Sequence, residues 1–248
     1  MGKVIAVVSG KGGTGKTTTV GAIGSCLAVM GRRTLCVDCD SGLRNLDLSL
    51  GMCDFAVHDF TDVLSGAPLT ETAAEHPGIP GLWFLSAPPS SAAREEEVGD
   101  LAALADRARV EFDYCLIDSP AGIGPGFRYA ACCADGAIVV TTGDWAGIRG
   151  AQKVVQELTG LGIGDIRLLV NRVTGSQFRR SGLTVDDIID AAGVQLIGVV
   201  YEDRRVPLAV NSETALVLYE QRGAAVQFLR AAQRLCGERV GVSPASRR

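Results

Sequence analysis

Two lysines stand close together in a glycine-rich segment near the start of the chain. Residues 9–18 read SGKGGTGKTT, and Gly10 through Thr17 match the pattern G-x-x-x-x-G-K-T. In this pattern the backbone N–H groups converge on an anion, the lysine reaches the outer phosphates of a nucleotide, and the final hydroxyl can bind Mg²⁺. Lys16 and Thr17 fill those two positions. The pattern does not require Lys11, so this second cation needs an explanation of its own.

The segments on either side of the loop have the features that a phosphate-binding loop requires. Residues 3–8 (KVIAVV) form an apolar run typical of a buried strand, and residues 16–31 have helical apolar spacing that stops at a glycine. A helix that begins at the loop directs its N-terminal partial positive charge at the phosphates. The predicted phosphate-binding residues are Gly10, Lys11, Gly12, Gly13, Thr14, Gly15, Lys16, Thr17 and Thr18.

Carboxylates in two further apolar segments are candidates for magnesium binding. Asp118 closes the run CLID, and a carboxylate at the end of a strand is well placed to hold the Mg²⁺ of a phosphate site. Asp38 and Asp40 lie in VDCD and share one side of an extended chain, because side chains alternate along a strand. Two carboxylates aimed at one place repel each other unless a cation or water lies between them. Asp38 and Asp40 therefore suit a metal and attacking-water site.

Asn171 follows the apolar run LLV and is a candidate for contact with the nucleotide base. A side-chain amide both donates and accepts hydrogen bonds, which matches the edge of adenine. We therefore add Asn171 to the predicted ATP-binding residues.

The composition is that of a globular chain. Of its 248 residues 47% are hydrophobic and 21% are charged, which favours one domain over residues 1–240 and a short polar tail over 241–248. The net charge of −4 gives no overall field that would attract nucleic acid. No apolar stretch approaches the roughly 18 residues of a membrane span, and the first strand begins close to Met1. We expect a cytoplasmic protein.

Eight cysteines are scattered along the chain, and two pairs are close in sequence. Cys36-x-x-Cys39 and Cys132-Cys133 invite a metal or redox interpretation. A zinc site would need a second ligand pair at suitable spacing, and the two histidines are not arranged to supply one. Packing in the hydrophobic core is the favoured interpretation for these cysteines.

Predicted strands and helices alternate along most of the chain. The strands are continuous apolar runs, which is typical of parallel strands that are buried on both faces. The sequence therefore predicts an α/β fold, a three-layer P-loop NTPase with a mostly parallel twisted sheet covered by helices on both faces. The predicted strands are 3–8, 33–40, 81–87, 114–120, 136–142, 166–173 and 194–202, and the longer predicted helices are 16–31, 95–112, 146–160, 184–192 and 222–239.

Taken together, these segments resemble the MinD/ParA family of ATPases, whose phosphate loop carries an additional signature lysine. GKGGTGKT places Lys11 at the position of that lysine. Residues 37–51 (VDCDSGLRNLDLSLG) and 118–123 (DSPAGI) are similar to the two switch segments of the MinD members, and residues 196–217 resemble their C-terminal region. The resemblance covers nearly the whole chain.

The resemblance implies an ATP-dependent homodimer in which Lys11 of one subunit reaches the phosphates bound by the other. ATP then favours the dimer and hydrolysis dissolves it, so the expected protein is a Mg²⁺-dependent, partner-stimulated ATPase switch in spatial organisation. Division-site placement is the expected role, with division-regulator proteins as partners. The implied catalytic residues are Lys11, Lys16 and Asp40, the implied metal-site residues are Thr17, Asp38 and Asp118, Asn171 is assigned to adenine, and Gly12 to the close approach of the two loops.

The C-terminal helix leaves two interpretations open. Residues 222–240 carry an apolar stripe with several arginines largely off it, which suits either peripheral contact with the inner face of the cell membrane or cover for one face of the sheet. The second interpretation is favoured. The stripe consists of Ala225, Phe228, Leu229, Ala232, Leu235 and Cys236.

Other functions remain open at this point. A ParA-like DNA-partition ATPase would use the same chemistry with arginine pairs on a DNA-binding surface. A metallocluster-carrying electron-transfer ATPase would use Cys132-Cys133 to bridge two subunits, and an amide-forming synthetase would need a second-substrate motif that the sequence does not display.

Overall fold

A computed structural model gives the fold, and it describes residues 1–40, 44–55, 57–88 and 101–242, apart from the side chain of Gln177. The strands are β1 Lys3–Val8, β2 Thr34–Asp38, β3 Ala74–Glu75, β4 Leu82–Leu85, β5 Tyr114–Asp118, β6 Gly136–Thr142, β7 Asp165–Val173 and β8 Gln195–Tyr201. The helices are α1 Lys16–Val29, α2 Leu46–Leu50, α3 Phe60–Leu64, α4 Leu69–Thr72, α5 Leu101–Glu111, α6 Pro125–Ala131, α7 Trp145–Gly160, α8 Gly175–Ser181, α9 Val185–Ala192, α10 Arg205–Asn211, α11 Leu216–Tyr219 and α12 Ala224–Leu235.

The strands form one eight-stranded sheet in the order β3-β4-β2-β5-β1-β6-β7-β8. Among the described strands, every pairing is parallel except that of the two-residue β3 with β4. The carboxyl ends of the parallel strands therefore meet at one edge of the sheet, where the glycine-rich loop follows β1. The predicted mostly parallel P-loop fold is confirmed.

Helices cover both faces of the sheet and fix the central strand. Ile5 and Val7 of β1 pack into the hydrophobic cluster that contains α1 and α12, whereas Ala6 and Val8 pack into the cluster that contains α7 and α9. All four side chains are buried. Because side chains alternate along a strand, burial on both faces holds β1 rigidly and gives the loop a fixed starting point.

The structure also contains short elements that the apolar pattern did not predict. α6, α8, α10 and α11 are helices of seven residues or fewer, and β3 has two residues. Such elements are too short to show a clear hydrophobic period. Positions 95–100 of the helix predicted over 95–112 lie outside the described residues, as does the predicted tail from position 243 onward.

The C-terminal helix α12 covers the sheet. Ala225, Phe228 and Ala232 from its apolar stripe are buried in the cluster shared with α1 and β8. This packing agrees with the sheet-covering interpretation of the stripe. Across the described ranges, no helix has both the length and the apolar character needed to cross a membrane.

Candidate nucleotide-binding site

The glycine-rich loop joins β1 to α1 and leaves the start of the helix open. Gly13 and Gly15 have positive φ angles of 76° and 90°, which only glycine adopts readily. Gly15 is the N-cap of α1 and provides no side-chain cap, so the first N–H groups of the helix face the loop. The hydroxyl of Thr14 is buried without a hydrogen-bond partner among the described residues. These features suit an anion held by backbone N–H groups.

Two consecutive side chains at the end of β7 support the loop from behind. The amide nitrogen Nδ2 of Asn171 donates to the carbonyl of Thr14 at 2.8 Å, and Nη1 of Arg172 donates to the carbonyl of Gly13 at 3.1 Å. Asn171 is buried and also lines a cavity of about 400 Å³ together with Gly15 and Thr18. The bond from Asn171 to the loop was not predicted from the sequence. The adenine contact predicted for Asn171 stays a prediction.

Asp38 and Asp118 lie side by side at the carboxyl ends of neighbouring strands. They are partners in the parallel register of β2 and β5, and both are buried. Asp38 accepts hydrogen bonds from the N–H groups of Asp40 and Leu46, at 2.8 and 3.3 Å. By distance and angle, neither carboxylate oxygen of Asp118 has a hydrogen-bond partner in the described part of the chain, although the Thr17 hydroxyl is near enough to lower its pKa. Since β2 ends at Asp38, strand alternation does not place Asp40, which lies beside Asp38 through its backbone instead.

Burial makes this pair of carboxylates unstable as anions. It raises the pKa of Asp118 to about 7, with a smaller rise from the charge of Asp38 and opposing contributions from Thr17 and Lys16. It raises the pKa of Asp38 to about 6, although two backbone N–H groups counteract part of the effect. A buried carboxylate that lacks hydrogen bonds is stabilised by a bound cation. The residues present therefore fit Mg²⁺ at Asp118 and Thr17.

The described residues include no group of three or more His, Cys, Asp and Glu side chains able to hold a metal ion. Mg²⁺ in phosphate sites typically uses one or two carboxylates and takes its other ligands from water and phosphates. Among the paired cysteines, Cys36, Cys39 and Cys133 are buried as predicted, but Cys132 is exposed. The core interpretation is wrong for Cys132 because it lies at the C-cap of the short helix α6.

The side chain of the signature lysine binds an aspartate at the start of α7. Nζ of Lys11 lies 3.1 and 3.0 Å from the two carboxylate oxygens of Asp144. Asp144 is the N-cap of α7 and accepts from the N–H of Gly147 at 2.8 Å and from the hydroxyl of Thr142 at 2.6 Å. Partial burial raises the pKa of Asp144, but these bonds together with Lys11 outweigh it and lower the pKa. Asp144 is not among the site residues that the sequence predicted, although an aspartate before a helix is a recognisable N-cap signal.

Two glycines of the loop have different surroundings. A Cβ atom at Gly10 would lie 2.5 Å from the Cα of Gly150 in α7, so close backbone packing requires glycine there. A Cβ atom at Gly12 would meet no described atom within 4 Å, and Gly12 has no positive φ angle. Nothing described within this single chain requires glycine at position 12.

Comparisons with known proteins agree with this geometry. Residues 5–217 match the family described as the CobQ/CobB/MinD/ParA nucleotide binding domain. The septum site-determining protein MinD of Synechocystis is 35% identical over 241 residues, which cover 96% of this chain and 91% of that protein.

Solved structures of MinD proteins have the same fold. MinD in the MinC:MinD cell division protein complex of Aquifex aeolicus is similar with a TM-score of 0.87, 33% identity and 98% coverage of both chains. MinD of Pyrococcus horikoshii, complexed with Mg-ADP, is similar with a TM-score of 0.83 and 28% identity, over 95% of this chain and 96% of that one. The predicted family is confirmed: the chain belongs to the MinD/ParA family of nucleotide-binding proteins.

Proposed function

We propose that this protein is a MinD-like ATPase that dimerises on Mg²⁺-ATP and acts as a switch in division-site placement. The observation that carries the proposal is the separation of the two loop lysines. Lys16 is buried at the start of α1, whereas Lys11 is partly exposed and its ammonium group binds Asp144. A cation that does not serve its own loop is available for the phosphates of a second molecule, where it would act like an arginine finger supplied in trans.

The nucleotide site supports the ATPase part of the proposal. The loop N–H groups and Lys16 bind the phosphates, and Thr17 and Asp118 hold Mg²⁺. Asp38 belongs to the metal site as well, because it lies beside Asp118 and accepts a hydrogen bond from the backbone of Asp40. When bound, Mg²⁺ neutralises charge on the phosphates. Asp40, which is only partly buried, orients the attacking water. The cavity beside Asn171 receives the base.

The surroundings of Gly12 support the dimer. Its position is open and unstrained, so the small residue is explained if a second loop approaches it closely. A symmetric pair of such loops would bring each Lys11 to the opposite phosphate site. Because each Lys11 must leave Asp144 first, the dimer forms only where bound phosphate charge compensates for that loss.

The partners follow from the relatives and are part of the proposal. The Aquifex aeolicus structure is a complex of MinC with MinD, so a division regulator of that kind is the proposed partner. We also propose that a partner protein stimulates hydrolysis. We place the protein in the cytoplasm with peripheral contact at the inner face of the membrane. The stripe of α12 packs against the core and is not free for that contact, so the contact requires another surface.

Sedimentation velocity with Mg²⁺ and a non-hydrolysable ATP analogue tests the proposal. Wild type and Asp40→Ala should sediment as dimers, and Lys11→Ala as a monomer that still binds nucleotide. Lys3→Ala, an exposed lysine at the opposite end of β1, is the matched control and should dimerise. A Lys11→Ala dimer would overturn the role of Lys11 in trans. Adding anionic liposomes or duplex DNA to the same samples decides the target, and retention on DNA alone would replace division-site placement with DNA partition.

A further inference from the structure

The end of β7 has an irregular backbone where it meets the phosphate loop. Its pairing with β8 shifts register between Val170 and Val173, which is a β-bulge. Within this bulge Arg172 has a φ angle of 57°, in the left-handed region that residues other than glycine rarely adopt. Strain of this kind persists where the surrounding contacts enforce it, and it concentrates at functional sites.

The bulge allows two adjacent side chains to reach the same loop. In a regular strand Asn171 and Arg172 would point to opposite faces of the sheet. Here they donate to consecutive carbonyls, Asn171 to Thr14 and Arg172 to Gly13. The irregular backbone therefore has a specific structural result, which is a pair of donors placed behind the loop.

A hydrogen bond to the carbonyl of a peptide also fixes the direction of the N–H group of that same peptide. In a trans peptide the C=O and N–H groups point in opposite directions. When Arg172 binds the carbonyl of Gly13, the N–H of Thr14 is directed away from Arg172, and Asn171 does the same for the N–H of Gly15. Because Gly13 and Gly15 have φ angles that a flexible glycine can readily change, these peptides need an external restraint.

We propose that Arg172 is a positioning residue that fixes the Gly13–Thr14 peptide in its phosphate-binding orientation, an inference that rests on the proposed nucleotide site. Glu202 holds the guanidinium in place through contacts of 2.9 Å to Nε and 3.4 Å to Nη2. The remaining Nη1 then points at Gly13. Only arginine offers donors in such a fork, so lysine at this position can bind one of the two partners but cannot bridge them.

Arg172→Gly separates this role from a purely structural one. Glycine relieves the left-handed strain, and the exposed ion pair with Glu202 adds little stability, so the nucleotide-free variant should unfold at the same temperature as wild type or a higher one. Its affinity for Mg²⁺-ADP should nevertheless fall about tenfold, because nucleotide binding must then order the backbone of about one residue that Arg172 holds in place in wild type. Isothermal titration calorimetry and thermal unfolding measure the two quantities.

Arg172→Lys and Arg167→Ala complete the experiment. The lysine variant should recover part of the lost Mg²⁺-ADP affinity, because it restores one donor. Arg167 lies in the same strand, bound to Asp165 at the far end from the loop, and its removal should leave the affinity unchanged. The positioning role would be overturned if Arg172→Gly bound Mg²⁺-ADP as tightly as wild type, or if its affinity and its unfolding temperature fell together. Either result would leave the proposed nucleotide site intact. If wild type itself binds no Mg²⁺-ADP, the proposed function falls with it.

Discussion

Removing the negative charge of Asp144 should strengthen the ATP-dependent dimer. In the single chain Asp144 binds Lys11 with both carboxylate oxygens, at 3.0 and 3.1 Å. In the proposed dimer Lys11 must turn to the phosphates of the other subunit, so each subunit gives up this ion pair. Asp144→Asn keeps a side chain that can cap α7 but removes the charge that holds Lys11.

The size of the effect follows from the exposure of the pair. The side chains of Lys11 and Asp144 are 37% and 35% exposed, so solvent screens their attraction. Exposed pairs of this kind contribute about 0.5 kcal/mol each. A symmetric dimer releases two of them, which amounts to about 1 kcal/mol and predicts a dimer Kd lowered about fivefold.

Sedimentation over a range of protein concentrations, with Mg²⁺ and a non-hydrolysable ATP analogue, measures that constant. The advantage of Asp144→Asn should shrink as salt is added, because screening weakens the ion pair in wild type. The double variant Lys11→Ala/Asp144→Asn should stay monomeric, since the gain depends on a free Lys11. A dimer of Asp144→Asn that is equal to or weaker than wild type would refute the reasoning, because Asp144 would then be needed within the dimer.

Two further outcomes follow from the site. Gly12→Val should bind Mg²⁺-ADP like wild type, because a Cβ atom at position 12 meets no described atom within the single chain. It should fail to dimerise with the ATP analogue, because the second loop would then collide with that side chain. Light scattering that reports a dimer would contradict this. Burial raises the pKa of Asp118 to about 7, above about 3.9 in an unfolded chain, so the folded protein binds more protons between these values. The stability of nucleotide-free wild type should therefore fall as pH rises from 5 to 8, relative to Asp118→Asn. Urea unfolding at each pH checks this, and equal slopes for the two proteins would argue against it.

The sequence predicted the elements whose signals are local. The loop motif, the apolar run of β1 and the helical spacing of α1 lie next to one another in the chain, and the structure places them as expected. The positions of Asp38 and Asp118 could equally be predicted from the sequence, because each ends a short apolar run that is typical of a buried strand. Patterns of this kind depend on burial alone, which the residue types report directly.

Contacts between distant segments carry no such signal. Lys11 and Asp144 are 133 positions apart, and nothing in either segment indicates that one will bind the other. The bulge at Arg172 is likewise invisible, because arginine has no preference for a left-handed backbone and the restraint comes from Gly13 and Glu202. Asn171 shows the same limit, since its bond to the loop became apparent only with β7 placed beside the loop.

Strand order explains how these contacts divide between the two sides of the loop. On one side of β1 lie β5 and β2, which end in Asp118 and Asp38; on the other lie β6 and β7, which lead to Asp144 and to Asn171 and Arg172. One side thus supplies the acids proposed for the metal site, and the other supplies the groups that bind Lys11 and the loop carbonyls. Because the order of parallel strands is set by crossover connections rather than by local sequence, the same motifs in another order could not have made both sets of contacts. The separate roles proposed for Lys11 and Lys16 therefore depend on the topology of the sheet as much as on the loop that contains them.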